Sequence, residues 1–401
     1  MRYKLFLLLC FSFQLAWCQQ KVGYVLNAEV VRIPFQMVNQ SMMVKVNLNE
    51  HKNLSFIVDT GSSFSVVFTD SVFTLPTQYK LSSIRGFGKL DSIPAQVSAY
   101  NTLSLGALTS YGHQMLVVEK ADIGFQQFFD KPLHGIIGFD VLRNFDMEIN
   151  FVRKKLILRK HMQGKKSGKR WTTIPFDITT NALLVPATIK ANQQTDSIQL
   201  ILDTGSELPL LLSERYCPPI SLRTIIGLGF LGYTSGRIGQ IDELKIGKVS
   251  LKRLTTSFPD SASVKWNPKL PPRGNLGIQF LKQFRVIINF HEKYLQLKQI
   301  HPLSGDALEY NRSGMAIVSK SKSNSNCAYY VDEIVAGSAA EKAGLLEGDR
   351  ILSIKNIRCP DITLDEIHNY LFSKTSNLKM EVFRKGKVEK IVLDLSEQPV
   401  N

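Results

Sequence analysis

Hydrophobic residues along this chain come in short runs of Val, Ile, Leu and Phe, broken by Gly, Asn, Pro and Ser. That spacing predicts many short β-strands rather than long helices. Only Leu5–Phe13, near the start, is a compact apolar stretch of another kind, and no segment approaches 18 consecutive apolar residues, so no membrane-spanning helix is predicted. Toward the end the pattern changes. A helix is expected near Thr363 to Phe372, followed by paired strands Lys379 to Arg384 and Val388 to Leu395 across Lys385-Gly386-Lys387.

The strand-rich part repeats itself. Phe56-Ile57-Val58-Asp59-Thr60-Gly61-Ser62 recurs 144 positions later as Leu200-Ile201-Leu202-Asp203-Thr204-Gly205-Ser206. Ile33-Pro34-Phe35 recurs as Ile174-Pro175-Phe176, and Leu103-Ser104-Leu105-Gly106 is echoed by Leu244-Lys245-Ile246-Gly247. Gly138–Leu158 aligned on Gly277–Leu297 gives nine identities in 21. Order and spacing are both kept, so the chain contains a duplicated lobe, each copy a compact β-barrel or sandwich. Within each copy, between the aspartate and the last segment, lies a glycine pair: Gly86-Phe87-Gly88 and Gly227-Leu228-Gly229. Both are candidate flaps, because glycine permits a tight hairpin.

The 401 residues suffice for two to four domains, and 44% apolar with 21% charged residues excludes disorder and coiled coil. The formal charge of +15 does not form a stripe interleaved with aromatics. Its densest group, Arg153 to Arg170, reads as a solvated linker, so no nucleic-acid partner is expected; attraction to an anionic surface is the better use of the charge. Arg2 and Lys4, the apolar run and Ala16-Trp17-Cys18 form a secretory signal over residues 1–18. Soluble export to the periplasm or the exterior is favoured, while lipidation of Cys18, with peripheral membrane attachment, stays open. The mature chain would keep Cys217, Cys327 and Cys359. Either the last two form a disulfide or they are buried thiols, and no metal-binding spacing is present.

An Asp after three apolar residues and before Thr-Gly-Ser sits on a sharp turn at a strand end, where its carboxylate is held. If two such lobes pack about a pseudo-twofold axis, the carboxylates meet, and a pair about 3 Å apart shares one proton. A water between them can then be activated without metal or cofactor. His134, just before Gly135-Ile136-Ile137-Gly138, has no accompanying serine motif and is read as structural.

Twin Asp-Thr-Gly-Ser motifs, each followed by an apolar-Gly segment, resemble the pepsin and retropepsin clan of aspartic proteases over residues 28 to 300. The resemblance implies two pepsin-like β-barrel lobes, 28–160 and 171–300, with Asp59 and Asp203 as the catalytic dyad. Thr60 and Thr204 would lock the loops together, with Gly61, Ser62, Gly205 and Ser206 in support. Ile136-Ile137-Gly138 matches the clan's second signature, whereas Asn275-Leu276-Gly277 departs from it by a polar residue.

Gly337-Ser338-Ala339-Ala340 through Glu347-Gly348-Asp349-Arg350-Ile351 resembles a PDZ domain of bacterial exported proteases, spanning 312–396. That implies an α+β module whose groove binds peptide ends, with Gly314-Met315-Ala316-Ile317 as the candidate carboxylate loop. Gly227-Leu228-Gly229-Phe230 imitates that loop inside the protease lobe. The expectation is a mainly β, monomeric, exported aspartic endopeptidase acting on polypeptides, with a PDZ domain. The rival is an inactive scaffold that binds peptides through the PDZ groove.

Overall fold

The computed structural model describes residues 23–84, 92–123, 129, 132–162, 164, 168–179, 182–229, 232–260, 273–301, 310–320, 328–359, 361–373 and 376–396. The predicted signal, the Gly86-Phe87-Gly88 flap candidate and Cys327 lie outside these residues.

The architecture is mainly β, as the short apolar runs predict. One sheet carries the first copy of the repeat, with His51–Val58 at its centre between Ser41–Leu48 and Gly135–Ile137. A second carries the other copy, with Gln194–Leu202 between Leu183–Ala191 and Arg273–Leu276. In each, the strand leading to the aspartate pairs in parallel with the late apolar segment: Ile136 lies beside Ile57, and Asn275 beside Ile201. Ile136 and Asn275 are therefore equivalent positions.

The lobes are joined by a shared six-stranded sheet, in the order Trp171–Pro175, Tyr294–Gln299, Phe284–Asn289, Asp146–Asn150, Lys155–Arg159, Val30–Pro34. At its middle, Met147 pairs with Ile288, Glu148 with Ile287 and Ile149 with Val286. In the aligned repeat Glu148 and Ile287 are the same position, so the pseudo-twofold axis passes through that pair. Glu148 is buried there, and Arg285 Nε donates to it at 2.6 Å. One continuous apolar core, from Val31 through Leu200 to Leu297, spans both lobes. Continuity across the axis makes the two lobes a single packed body.

The C-terminal module has its own core around Met315, Ile351, Ile367 and Leu393. Its sheet runs Met315–Ser319, Tyr329–Ile334, Arg350–Ile354, Asn377–Arg384, Lys387–Asp394. The expected helix spans Leu364–Phe372 and starts with a capping box between Thr363 and Glu366, which satisfies two end N–H groups. Cys359 is disulfide-bonded and Cys217 is free, so the pairing reading holds for Cys359 over the thiol one.

This module is docked on the two lobes. Ala316, Val318 and Val335 join an apolar cluster with Ile57, Val66 and Ile225. Tyr233 Oη donates to Asp332 at 3.1 Å, Thr224 Oγ1 to the Asn311 carbonyl at 2.8 Å, and the Asn39 N–H to Asp365 at 3.0 Å. None of the residues in these bonds belongs to a recognisable motif.

Candidate active site

Both Asp-Thr-Gly-Ser turns sit where their strands end, and the two turns interlock. Thr60 N donates to Thr204 Oγ1 and Thr204 N to Thr60 Oγ1, each at 3.0 Å. The hydroxyls in turn donate across the axis, Thr60 to the Leu202 carbonyl at 2.7 Å and Thr204 to the Val58 carbonyl at 2.9 Å. Both threonines are fully buried, so these four bonds replace water entirely. They tie the carboxylate-bearing loops to each other, as the resemblance implies.

The glycines explain why the motif tolerates nothing larger. A Cβ on Gly61 would stand 2.4 Å from Asp203 Oδ1, and one on Gly205 2.3 Å from Asp59 Cγ. Each carboxylate therefore lies against the opposite lobe's glycine, which places the two within mutual hydrogen-bonding reach. Gly61 N at 2.7 Å and Ser62 N at 3.1 Å donate to Asp59 Oδ1. Gly205 N and Ser206 N donate to Asp203 Oδ1, both at 3.0 Å. These bonds fix one oxygen, Oδ1, of each carboxylate.

The dyad is not symmetric. Asn275 Nδ2 donates to Asp203 Oδ2 at 2.6 Å, and Asn275 is buried. Its counterpart Ile136 offers Asp59 nothing polar. Burial and the facing Asp203 carboxylate push Asp59 up to about 8. Burial raises Asp203 too, but bonds from Asn275, Asp59 and two backbone N–H groups oppose the rise. With three protein donors against two, Asp203 is the better home for the negative charge, and Asp59 for the shared proton.

Around the dyad is a cavity of about 470 Å³, lined by Ile57, Phe64, Leu116 and Ile136 on the first lobe and by Ile201, Leu208, Leu211 and Leu228 on the second. Gly227, Leu228 and Gly229 also line it. They belong to the strand Leu222–Gly229, whose hairpin partner is Gly232–Ile246. These glycines therefore lie within the strand and not in a turn. They continue the ladder, with a register shift between Ile225 and Gly227 that bends the strand over the cleft. Gly227-Leu228-Gly229 thus lies in the second lobe and not in the C-terminal module.

Glu207 and Asn275 are two polar cleft residues to which sequence reading assigned no role. Glu207 directly follows Ser206 and faces the cavity, where burial alone pushes it up to about 7. Its adjacency to the motif was the available signal; its orientation was not. His134 Nδ1 accepts from Ser55 N at 3.1 Å, the structural role expected of it.

In the C-terminal module, Gly314 has φ +69° and a Cβ there would meet the Ser338 side chain at 2.2 Å, so glycine is required. Met315, Ala316 and Ile317 are buried. Gly314 N donates to Asn311 Oδ1 at 3.2 Å and Met315 N to Ser313 Oγ at 3.2 Å.

Residues 44–141 match the aspartyl protease family and residues 307–383 match the PDZ domain family. Among solved structures, the chain is similar to the aspartic proteinase from Irpex lacteus, with 14% identity and a TM-score of 0.42, covering 67% of this chain and 97% of that one. No curated protein matches the chain. The chain thus combines an aspartyl protease domain with a PDZ domain in one mainly β molecule.

Proposed function

We propose that this protein is an exported aspartic endopeptidase that hydrolyses peptide bonds with a water held between Asp59 and Asp203. The observation that carries the reading is the pair of carboxylates brought within hydrogen-bonding reach by reciprocal threonine bonds and by glycines that leave room for nothing else. Ionised Asp203 takes a proton from the water as its oxygen attacks the scissile carbonyl. Protonated Asp59 donates to the developing oxyanion, and the proton is then delivered to the leaving amine. No covalent enzyme intermediate forms. The strand Leu222–Gly229 helps cover the cleft and exclude bulk water.

Export is supported by the charged and apolar N-terminal segment and by the disulfide at Cys359, a bond suited to an oxidising compartment. The PDZ domain supports recognition of polypeptide segments. The test is incubation of purified protein with an unfolded protein over a pH series, alongside Asp59→Asn and Asp203→Asn. Cleavage by the wild type that both variants lose supports the reading. Retained peptide binding with no cleavage at any pH would replace it with the scaffold.

A further inference from the structure

The PDZ groove is bounded by the protease lobes as well as by its own module. Between the helix Leu364–Phe372 and the strand Met315–Ser319 lies a cavity of about 80 Å³, and protease residues wall its remaining side, among them Asn39, Gln40 and Leu228. Four residues line both this cavity and the catalytic one: Phe129, Glu207, Gly227 and Leu228. The two spaces therefore meet at the bent strand over the cleft. Met315–Ser319 is an edge strand, paired only with Tyr329–Ile334 among the described residues, but on its outer side the Met315 carbonyl accepts from Asn311 Nδ2 at 2.9 Å and the Ile317 carbonyl lies 3.4 Å from His368 Nε2, so a segment in the groove would be held by side-chain contacts rather than by a full strand ladder.

The chemistry at this groove is wrong for a free carboxylate. Gly314 N and Met315 N, at the start of the candidate carboxylate loop, are already bonded to Asn311 and Ser313. The charged side chains lining the groove are Glu207 and Asp365, and no Lys or Arg lines it among the described residues. His368 also lines it and, held by burial well below its usual range at about 4, supplies no positive charge at neutral pH. A terminal carboxylate entering here would lose water and meet like charge. An internal stretch of chain carries no such charge.

We propose that the PDZ groove is an extension of the substrate cleft that holds an internal, largely apolar segment of the same polypeptide whose bond lies at the dyad, and does not capture a free C-terminus. This rests on the proteolytic reading for the word substrate, but the groove's occupancy can be tested without turnover. The segment would lie along Met315–Ser319, with its side chains against the helix and Leu228, and would pass beneath the bent strand into the cleft. Cleavage would then favour unfolded chains long enough to reach both places.

The experiment tiles one unfolded test protein as peptides of about eight and about twenty residues, spanning roughly 27 and 68 Å when extended. Each is made with a free and an amidated C-terminus. Dissociation constants are measured by fluorescence anisotropy on full-length Asp59→Asn, and kcat/KM on the wild type. The long peptides are expected to bind about tenfold more tightly than the short ones they contain, and amidation to change this by less than about twofold. Asn369→Trp, an exposed helix position that would fill the groove, and Phe372→Glu should each remove the advantage of length while leaving short-peptide binding unchanged. Equal affinity for long and short peptides, or an advantage that amidation abolishes, overturns the proposal. Cleavage bears separately on the enzyme: length-dependent binding without any hydrolysis would leave the groove assignment standing and remove the proteolytic one.

Discussion

Asn275 Nδ2 donates to Asp203 Oδ2 at 2.6 Å, while the equivalent position in the other lobe, Ile136, is apolar. A hydrogen bond to an ionised carboxylate contributes about 1.5–3 kcal/mol, which corresponds to roughly one to two units of pKa. Asn275→Leu should therefore raise the pKa of Asp203, because the charged form loses a donor. The acid limb of kcat/KM is expected to move up by roughly one to two pH units while the basic limb stays put. A simple packing defect would lower activity at every pH without moving that limb.

In the proposed mechanism the dyad works with one proton, so activity needs Asp203 ionised and Asp59 protonated. Asp59 is pushed up to about 8. Activity should persist through neutral pH and fall as pH rises through about 8, where the second carboxylate ionises. A profile that collapses already below pH 5, measured as kcat/KM on a fixed peptide, would contradict the assignment of Asp59 as proton holder.

Thr204 accepts from Thr60 N and donates to the Val58 carbonyl, both across the lobe boundary and both buried. Thr204→Val keeps the shape and strands two backbone groups without water. The expected cost is about 2–4 kcal/mol, read from the denaturant midpoint. Thr204→Ser should recover most of it, since the hydroxyl is restored.

Glu207 has its carboxyl pushed by burial from 4.5 to about 7. A group that holds its proton more tightly when folded favours unfolding as pH climbs. Stability should thus decline between about 4.5 and 7 and then level off. Glu207→Gln removes that decline, and at pH 8 it should be more stable than wild type by about 2 kcal/mol, allowing for the residue's remaining exposure. Below pH 4 the two should be alike, by thermal melts in matched buffers.

Much of the fold was legible because duplication writes the same signal twice. Asp59 and Asp203, their threonines and glycines, and the apolar segments near Gly138 and Gly277 are local motifs whose spacing survives in the sequence. The helix Leu364–Phe372 and its neighbouring strands were readable differently, from a local cap and alternation. The docking of the PDZ module was not. It depends on single residues such as Asn39, Thr224 and Tyr233 meeting Asp365, Asn311 and Asp332, contacts between positions tens to hundreds apart with no pattern of their own. Asn275 was visible as an irregularity, but only its contact with Asp203 shows that the irregularity is polar for a reason. Glu207 was hidden because a charged residue after a turn normally faces water.

The sheet that runs through Glu148 and Ile287 fuses both halves within one covalent chain, and this frees each half to change alone. A site assembled from two identical subunits must carry the same residue on either side of its axis, so any gain on one side is imposed on the other. Here a substitution can be confined to one half. The asparagine is such a case: it gives one half a donor for held charge, and in the proposed mechanism leaves the proton to the other.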